Sequence, residues 1–227
     1  MNVCIIPARG GSKRIPKKNI YKFFNKPMIY WSIKSAQESN CFERIIVSTD
    51  DDEIAKVAKN FGAEVPFMRP KNLSDDITPT QPVIKHAIER LKEFGFEYEY
   101  VCCIYPTAPL LKEKDIFKSQ KIIAAADKKI LLFSATSFSY PTQRALVINN
   151  EGFASMLYPQ NTNKRSQDLQ ETFHDAGQFY WASSKRWTTN PNIFQYSKPY
   201  ILPRWRVQDI DNLEDLKYAE LLFKMNL

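Results

Sequence analysis

The chain has 227 residues, 44% of them hydrophobic and 25% charged, which is enough apolar content to bury a full core and rules out a disordered tail or a miniature scaffold. Its 32 Lys and Arg against 25 Asp and Glu leave a formal net charge of +7. Nucleic acid, a membrane surface and a phosphorylated small molecule are the partner classes that such an excess brings into question.

A first apolar run at 3–6 predicts a strand, with no basic leader before it and no stretch apolar enough for a signal peptide or a membrane span. The expectation is a cytoplasmic protein with no membrane partner. The four cysteines form no CxxC pair and read as buried, reduced thiols rather than a metal or redox site. Directly after the first strand, Gly10 and Gly11 stand together, and Arg9, Lys13, Arg14, Lys17 and Lys18 place five cations around them. Adjacent glycines free backbone N–H groups to face an anion, so the loop reads as a phosphate cradle, against the plainer reading of a solvated basic loop. It has neither the GxxxxGK[ST] spacing of a P-loop nor the GxGxxG of a dinucleotide fold.

Helical periodicity follows at 28–39, then a strand at 44–48, a helix at 52–61 stopped by Gly62, and a helix at 81–94 in which His86 reads as structural. A strand at 100–105 ends in Tyr105-Pro106-Thr107-Ala108-Pro109, either a simple proline turn or the ligand-binding carboxyl edge of an α/β sheet. A helix at 113–126 and a strand at 130–134 lead into a polar segment, 137–175, with little helical or strand period. Such a long irregular connection in a compact domain suggests an inserted arm, lid or interface. Strands at 178–182 and 200–202 resume the main domain. Asp209 and Asp211 then sit at i and i+2 on extended chain, so their carboxylates point the same way and suit one hard cation such as Mg²⁺. Helix capping competes as their role. A helix over Leu213–Met225 starts behind a plausible Asn212 cap. The alternation predicts a single α/β domain over 1–227, a doubly wound and mostly parallel sheet with an inserted arm. A phosphate cradle and paired acids in one chain are the two requirements of phosphoryl or nucleotidyl transfer.

The run Ile6 to Asn19, the strand end Ile45 to Asp50, Arg69-Pro70, Tyr105 to Pro109 and Asp209-Ile210-Asp211 resemble, in order and over nearly the whole length, the CMP-sialic acid synthetase family of cytidylyltransferases. The stretch Gln167 to Trp181 looks most like the branch that activates pseudaminic acid. The resemblance implies a Rossmann-like nucleotidyltransferase fold and Mg²⁺-dependent transfer of CMP from CTP to the anomeric hydroxyl of a nonulosonic acid, with loss of pyrophosphate. The product would serve surface-glycan or flagellin glycosylation. Another sialic-acid-like sugar, such as N-acetylneuraminic or legionaminic acid, or KDO, is the alternative acceptor.

Carried over by position, the resemblance gives Arg9, Gly10, Gly11, Ser12, Lys13 and Lys18 to the triphosphate and Asn19 to the nucleotide. Arg69 would meet the cytosine, and Thr78 and Thr80 the base and ribose. Lys18, Asp209 and Asp211 form the catalytic set, the two aspartates holding metal. Tyr105 stands where the better-known sialic acid enzymes often have Gln, and His174-Asp175 replaces an arginine-containing stretch. With Gln178 these residues are candidates for the sugar side. The family also implies a homodimer in which the arm enters the neighbouring subunit, making Arg144, Arg165 and Gln167 candidates for the sugar carboxylate. A nucleic-acid-binding module is the distant rival. It expects cations spread along a face with stacking aromatics, whereas here five of them gather in one glycine loop.

Overall fold

The computed structural model describes residues 1–225, so the last two positions of the expected domain lie outside the described residues. In the first apolar run, Val3, Cys4, Ile5 and Ile6 are all fully buried, as expected of a strand covered on both faces. This strand, β1 (Asn2–Pro7), feeds the basic loop and a small antiparallel pair, β2 (Lys22–Phe23) and β3 (Lys26–Pro27). There follow α1 (Met28–Glu38), β4 (Arg44–Ser48), α2 (Asp52–Asn60), α3 (Thr80–Glu93), β5 (Tyr100–Ile104), α4 (Glu113–Ala124) and β6 (Leu131–Ser137). The chain then makes a hairpin, β7 (Leu146–Ile148) and β8 (Ala154–Met156), before β9 (Phe173–Ser183), α5 (Ser184–Thr189), β10 (Ser197–Ile201) and α6 (Leu213–Met225).

The main sheet has six strands in the order β10-β6-β9-β5-β1-β4. β1 pairs in parallel with both β4 and β5, and β10 in parallel with β6. Period-two alternation divides the core: Cys4 and Ile6 pack with Ile29 and Ile33 of α1 and Ile116 of α4, while Val3 and Ile5 pack with Ile84 and Leu91 of α3 and Trp187 of α5. A third cluster joins Ile15 of the basic loop, Phe23, Met28 and Ile210 to Leu216, Ala219, Leu222 and Phe223 of α6. It fastens the basic loop and the 209–211 segment to the same helix.

The structure bears out the α/β sheet and its parallel majority. It differs at β9, which is antiparallel to both neighbours and begins at 173 instead of 178. The pairing of Ser137, Thr136 and Ala135 with Phe173, His174 and Asp175 recruits this polar stretch into the sheet. Between Tyr180 opposite Phe133 and Asp175 opposite Ala135, residues 176–179 bulge across from Ser134, with Gly177 at φ +60°. The Ser134 hydroxyl accepts the Gln178 and Phe179 N–H groups at 3.2 and 3.1 Å, satisfying donors that the bulge takes out of the ladder. The segment 138–172 is not wholly irregular, since it holds the β7–β8 hairpin and three short 3-10 turns.

Helix ends follow local chemistry. Asp51 caps α2 through the Glu53 and Ile54 N–H groups, and Gly62, at φ +84°, follows its end. Asn212 accepts from the Glu214 and Asp215 N–H groups, while the Asp215 carboxylate accepts from Asp211 and Asn212. This reciprocal cap fixes the chain direction just past Asp211. The thiols of Cys4, Cys102 and Cys103 are buried and free, and burial pushes each well up. Cys41, also free, is only half-buried.

Candidate active site

A cavity of about 320 Å³ opens where β1 and β5 end. The basic loop supplies Arg9, Ser12, Lys13, Lys18 and Asn19 to its wall, the segment between α2 and α3 supplies Arg69 and Thr78, and the first residue of α3 supplies Thr80. Tyr105 and Asp211 complete the set. Ten of the residues singled out from sequence thus line one cleft at the carboxyl edge of the sheet, where α/β folds bind ligands.

Gly10 and Gly11 do not line it. The Gly10 N–H donates to Asp50 Oδ1 at 3.0 Å, and a Cβ at Gly10 would stand 2.8 Å from Asp51 Oδ2. Gly10 is therefore required for the close approach of the loop to the α2 cap, whereas nothing lies within 4 Å of a Cβ at Gly11. The buried Asn19 amide donates to the Arg9 carbonyl at 2.8 Å and holds the loop in its curve.

Each of the loop's five cations meets a carboxylate, a feature sequence reading missed. Arg9 and Lys13 both pair with Asp76, Arg14 and Lys18 with Asp211 at 2.6 and 3.4 Å, and Lys17 with Glu53 outside the cavity. Lys13, and then Arg9, hold the Asp76 carboxyl below the usual range. Asp76 occupies the cations that a triphosphate would use. Asp76→Ala is expected to tighten binding of a nucleoside triphosphate in this cavity by roughly threefold, the scale of an exposed ion pair. Calorimetric titration of parent and variant with nucleoside triphosphates measures it.

Arg69 is buried, and its Nε donates to Ser74 Oγ at 3.1 Å. Its Nη2 makes no hydrogen bond within the protein and lies 3.7 Å from Asp50. Desolvation lowers its pKa, opposed by Asp50. A buried guanidinium with a donor to spare in a cavity wall is suited to a ligand acceptor oxygen. Thr78 and Thr80 do not cap α3, whose start has no side-chain cap. The Thr80 hydroxyl instead meets that of Tyr105 at 2.6 Å, and burial pushes the Tyr105 phenol up to about 12.

Ile210 is fully buried between an exposed Asp209 and a half-buried Asp211, and of the two aspartates only Asp211 lines the cavity. Desolvation and the neighbouring Asp211 carboxylate hold the Asp209 carboxyl above its ordinary range, partly offset by Lys18. Lys18 also donates to the Ile210 carbonyl, bridging the basic loop to this segment. Among the described residues no group of three or more His, Cys, Asp and Glu side chains is placed to hold a metal ion. Two adjacent, mutually repelling carboxylates beside a phosphate-sized cationic cavity nevertheless fit Mg²⁺, which takes one or two protein carboxylates and completes its shell with substrate phosphate and water.

The remaining candidates lie elsewhere. Arg144 donates to the Lys164 carbonyl at 3.2 Å, Arg165 pairs with Asp168 at 2.8 Å, and Gln167 lines a small hollow within the arm. His174 is exposed against the Phe138 ring, with Nδ1 2.8 Å from the Asp175 carbonyl. Gln178 is buried, and its amide donates to the Arg206 carbonyl at 2.5 Å, so in this chain it braces the approach to Asp209. Its Oε1 makes no hydrogen bond within the protein. His86 packs edge-on against Phe67, in keeping with a structural role.

Two side-chain pairings near the site carried no sequence signal, although Asp175 itself stands out beside His174. Asp175 and Tyr180 come together at the β9 bulge, with the Tyr180 hydroxyl donating to Asp175 Oδ2 at 2.5 Å. Burial pushes the Asp175 carboxyl up against that donor and the Gly177 N–H. Asp115 of α4, also buried, pairs with Arg206.

A mostly parallel α/β sheet with a cavity at its carboxyl edge, walled by Arg9, Lys13, Lys18, Arg69 and Asp211, is the arrangement of a nucleotidyltransferase. Residues 3–143 match the family model described as Cytidylyltransferase. The chain belongs to that cytidylyltransferase family and is an enzyme of that class. It is similar, at 47% identity over 99% of its length and 97% of the relative's, to a pseudaminic acid cytidylyltransferase of Campylobacter jejuni. It is 29% identical over 99% of its length and 97% of the relative's to a CMP-N,N'-diacetyllegionaminic acid synthase of Legionella pneumophila. Its fold matches a solved CMP:2-keto-3-deoxy-manno-octonic acid synthetase complexed with CTP, with a TM-score of 0.70 over 100% of this chain and 99% of that one at 16% identity.

Proposed function

We propose that this enzyme transfers the CMP moiety of CTP to the anomeric hydroxyl of pseudaminic acid, releasing pyrophosphate. The observation that carries the reading is the single cavity into which Arg9, Lys13, Lys18, Arg69 and Asp211 converge. The cations bind the triphosphate, Arg69 offers its spare donor to the base, and Thr78 and Thr80 bind base and ribose. Lys18, held between Ile210 and Asp211, positions the phosphates against the aspartates. Asp209 and Asp211 would hold Mg²⁺, which when bound neutralises charge at the reacting phosphorus. The higher identity to the pseudaminic acid enzyme than to the legionaminic acid enzyme favours pseudaminic acid as acceptor.

The active form is a homodimer, with the arm of one copy bringing Arg144, Arg165 and Gln167 toward the sugar carboxylate of the other. Leu146, Ile148 and Phe153 on the hairpin are 63%, 73% and 69% exposed, an apolar surface of the kind that marks an interface. The enzyme works in the cytoplasm. No helix among the described residues is long and apolar enough to cross a membrane.

A pyrophosphate-release screen tests the whole reading, pairing CTP, UTP, ATP and GTP with pseudaminic, legionaminic, N-acetylneuraminic and KDO acceptors in Mg²⁺. Turnover is expected for CTP with pseudaminic acid above every other pair. Turnover of CTP with a different acceptor would move the acceptor assignment alone, and no turnover of CTP with any acceptor would sink the reading.

A further inference from the structure

The β9 bulge does more than bend the sheet. It turns Asp175 back toward Tyr180 of the same strand, and the Gly177 N–H donates to Asp175 Oδ1 at 2.8 Å to hold that turn. The Tyr180 ring packs against the Tyr105 ring with centroids 5.2 Å apart, and the two hydroxyls interact. Tyr105 in turn meets Thr80 Oγ1, and both of these residues line the nucleotide cavity. A row of polar groups therefore runs from Asp175 to the cavity wall.

The direction of this row follows from donor and acceptor counts. A carboxylate only accepts, so the Tyr180 proton lies toward Asp175. Tyr180 then offers Tyr105 only lone pairs, and the Tyr105 proton lies toward Tyr180. Tyr105 likewise offers Thr80 only lone pairs, which draws the Thr80 proton away from the cavity. Burial pushes both phenols above their usual range, so both keep their protons. What Thr80 presents to a ligand is then an acceptor.

We infer that Asp175, acting through Tyr180 and Tyr105, fixes the Thr80 hydroxyl as a hydrogen-bond acceptor in the nucleotide cavity and so selects a nucleotide that brings an N–H or O–H donor to that point. Asp175 and Tyr180 are positioning residues for specificity, and the inference rests on the reading of this cavity as the CTP site. The donor is either the exocyclic amino group of the base or a ribose hydroxyl.

Calorimetric binding of CTP, UTP, 2'-deoxy-CTP and 3'-deoxy-CTP to the full-length protein identifies which. UTP lacks the amino group, and each deoxy analogue lacks one hydroxyl. The wild-type protein is expected to bind CTP at least about tenfold more tightly than the analogue lacking the donor, because a buried acceptor is then left unpaired. Asp175→Asn keeps an oxygen for Gly177 but adds a competing donor, and Tyr180→Phe removes the link. Each should shrink that one ratio to within about threefold while leaving the ratios for the other analogues unchanged. Thr80→Val should shrink the same ratio, and combining it with Tyr180→Phe should add nothing, as expected of residues acting in series.

A ratio unchanged in Asp175→Asn and Tyr180→Phe would overturn the relay, and so would loss of binding for all four nucleotides in equal proportion. Failure of the wild-type protein to bind CTP at all would instead overturn the CTP reading, and this inference with it. Thermal melting of each variant confirms that binding is measured on folded protein.

Discussion

Asp211→Ala is expected to reduce kcat by about 10³-fold, equivalent to some 4 kcal/mol of transition-state stabilisation, the scale of a lost metal or electrostatic contact at a reacting phosphorus. Asp211 lies in the cavity wall, with Asp209 two residues before it and near enough for their charges to act on one another, so removing it halves the proposed metal site. The fold should survive. Its partners Arg14 and Lys18 have side chains 67% and 20% exposed, and a solvent-screened pair of this kind contributes about 1 kcal/mol or less. The helix beyond stays capped by Asn212, because that cap uses the Asn212 side chain and the Asp211 backbone. Steady-state kinetics beside thermal melting separates the two effects. Activity within tenfold of the parent protein, with an unchanged melt, would remove Asp211 from the chemistry.

The proximity of the Asp209 and Asp211 carboxylates was legible in their i, i+2 spacing, and the Asp211 charge does act on Asp209, but only Asp211 lines the cavity, a placement the spacing does not encode. The strands β1, β4 and β5 were legible because short runs of three to five consecutive apolar residues next to helical periods leave little alternative. The basic loop was found as a whole but misread in part. Its glycine pair suggested backbone donors facing an anion, yet Gly10 is needed for its approach to Asp51, a distance only the fold creates. The pairing of the loop's cations with Asp76, Asp211 and Glu53 was hidden for the same reason. The +7 of the sequence is therefore not a bare cationic loop, and a triphosphate must compete with carboxylates already in place.

β9 was half legible. The apolar stretch of 178–182 announces a strand, but Phe173 to Asp175 join it only through pairing with β6, which a local pattern does not encode. The bulge that brings Asp175 to Tyr180 depends on Gly177 and on Ser134 in another strand. Asp175 and Tyr180 are separated in sequence by residues that would put them on opposite faces of a regular strand, so spacing alone argues against their contact.

Asp115→Ala should be the most destabilising of the substitutions considered, by about 3–5 kcal/mol, a large share of the 5–15 kcal/mol that holds a typical domain folded. The Asp115 carboxylate accepts two hydrogen bonds from Arg206 and one from the Tyr200 hydroxyl at 3.2 Å. The Asp115 and Arg206 side chains are 5% and 11% exposed. Removing the carboxylate leaves the Arg206 charge buried and unpaired, whereas a pair replaced together leaves no such charge. The double variant Asp115→Leu with Arg206→Met is accordingly expected to recover most of the lost stability. Denaturant midpoints at constant m-value provide the comparison.

Catalysis should not recover in parallel. Arg206 sits three residues before Asp209, and Gln178 holds its carbonyl, so the ion pair with α4 and the bond from β9 together fix where the 209–211 segment leaves the sheet. An aspartate displaced by about 1 Å can lose up to about 10²-fold in rate. The doubly substituted protein should therefore melt near the parent while its kcat stays at least about tenfold lower. Full recovery of both would reduce Asp115 and Arg206 to an ordinary buried pair, whereas recovered stability without recovered rate would identify them as the anchor of the catalytic segment.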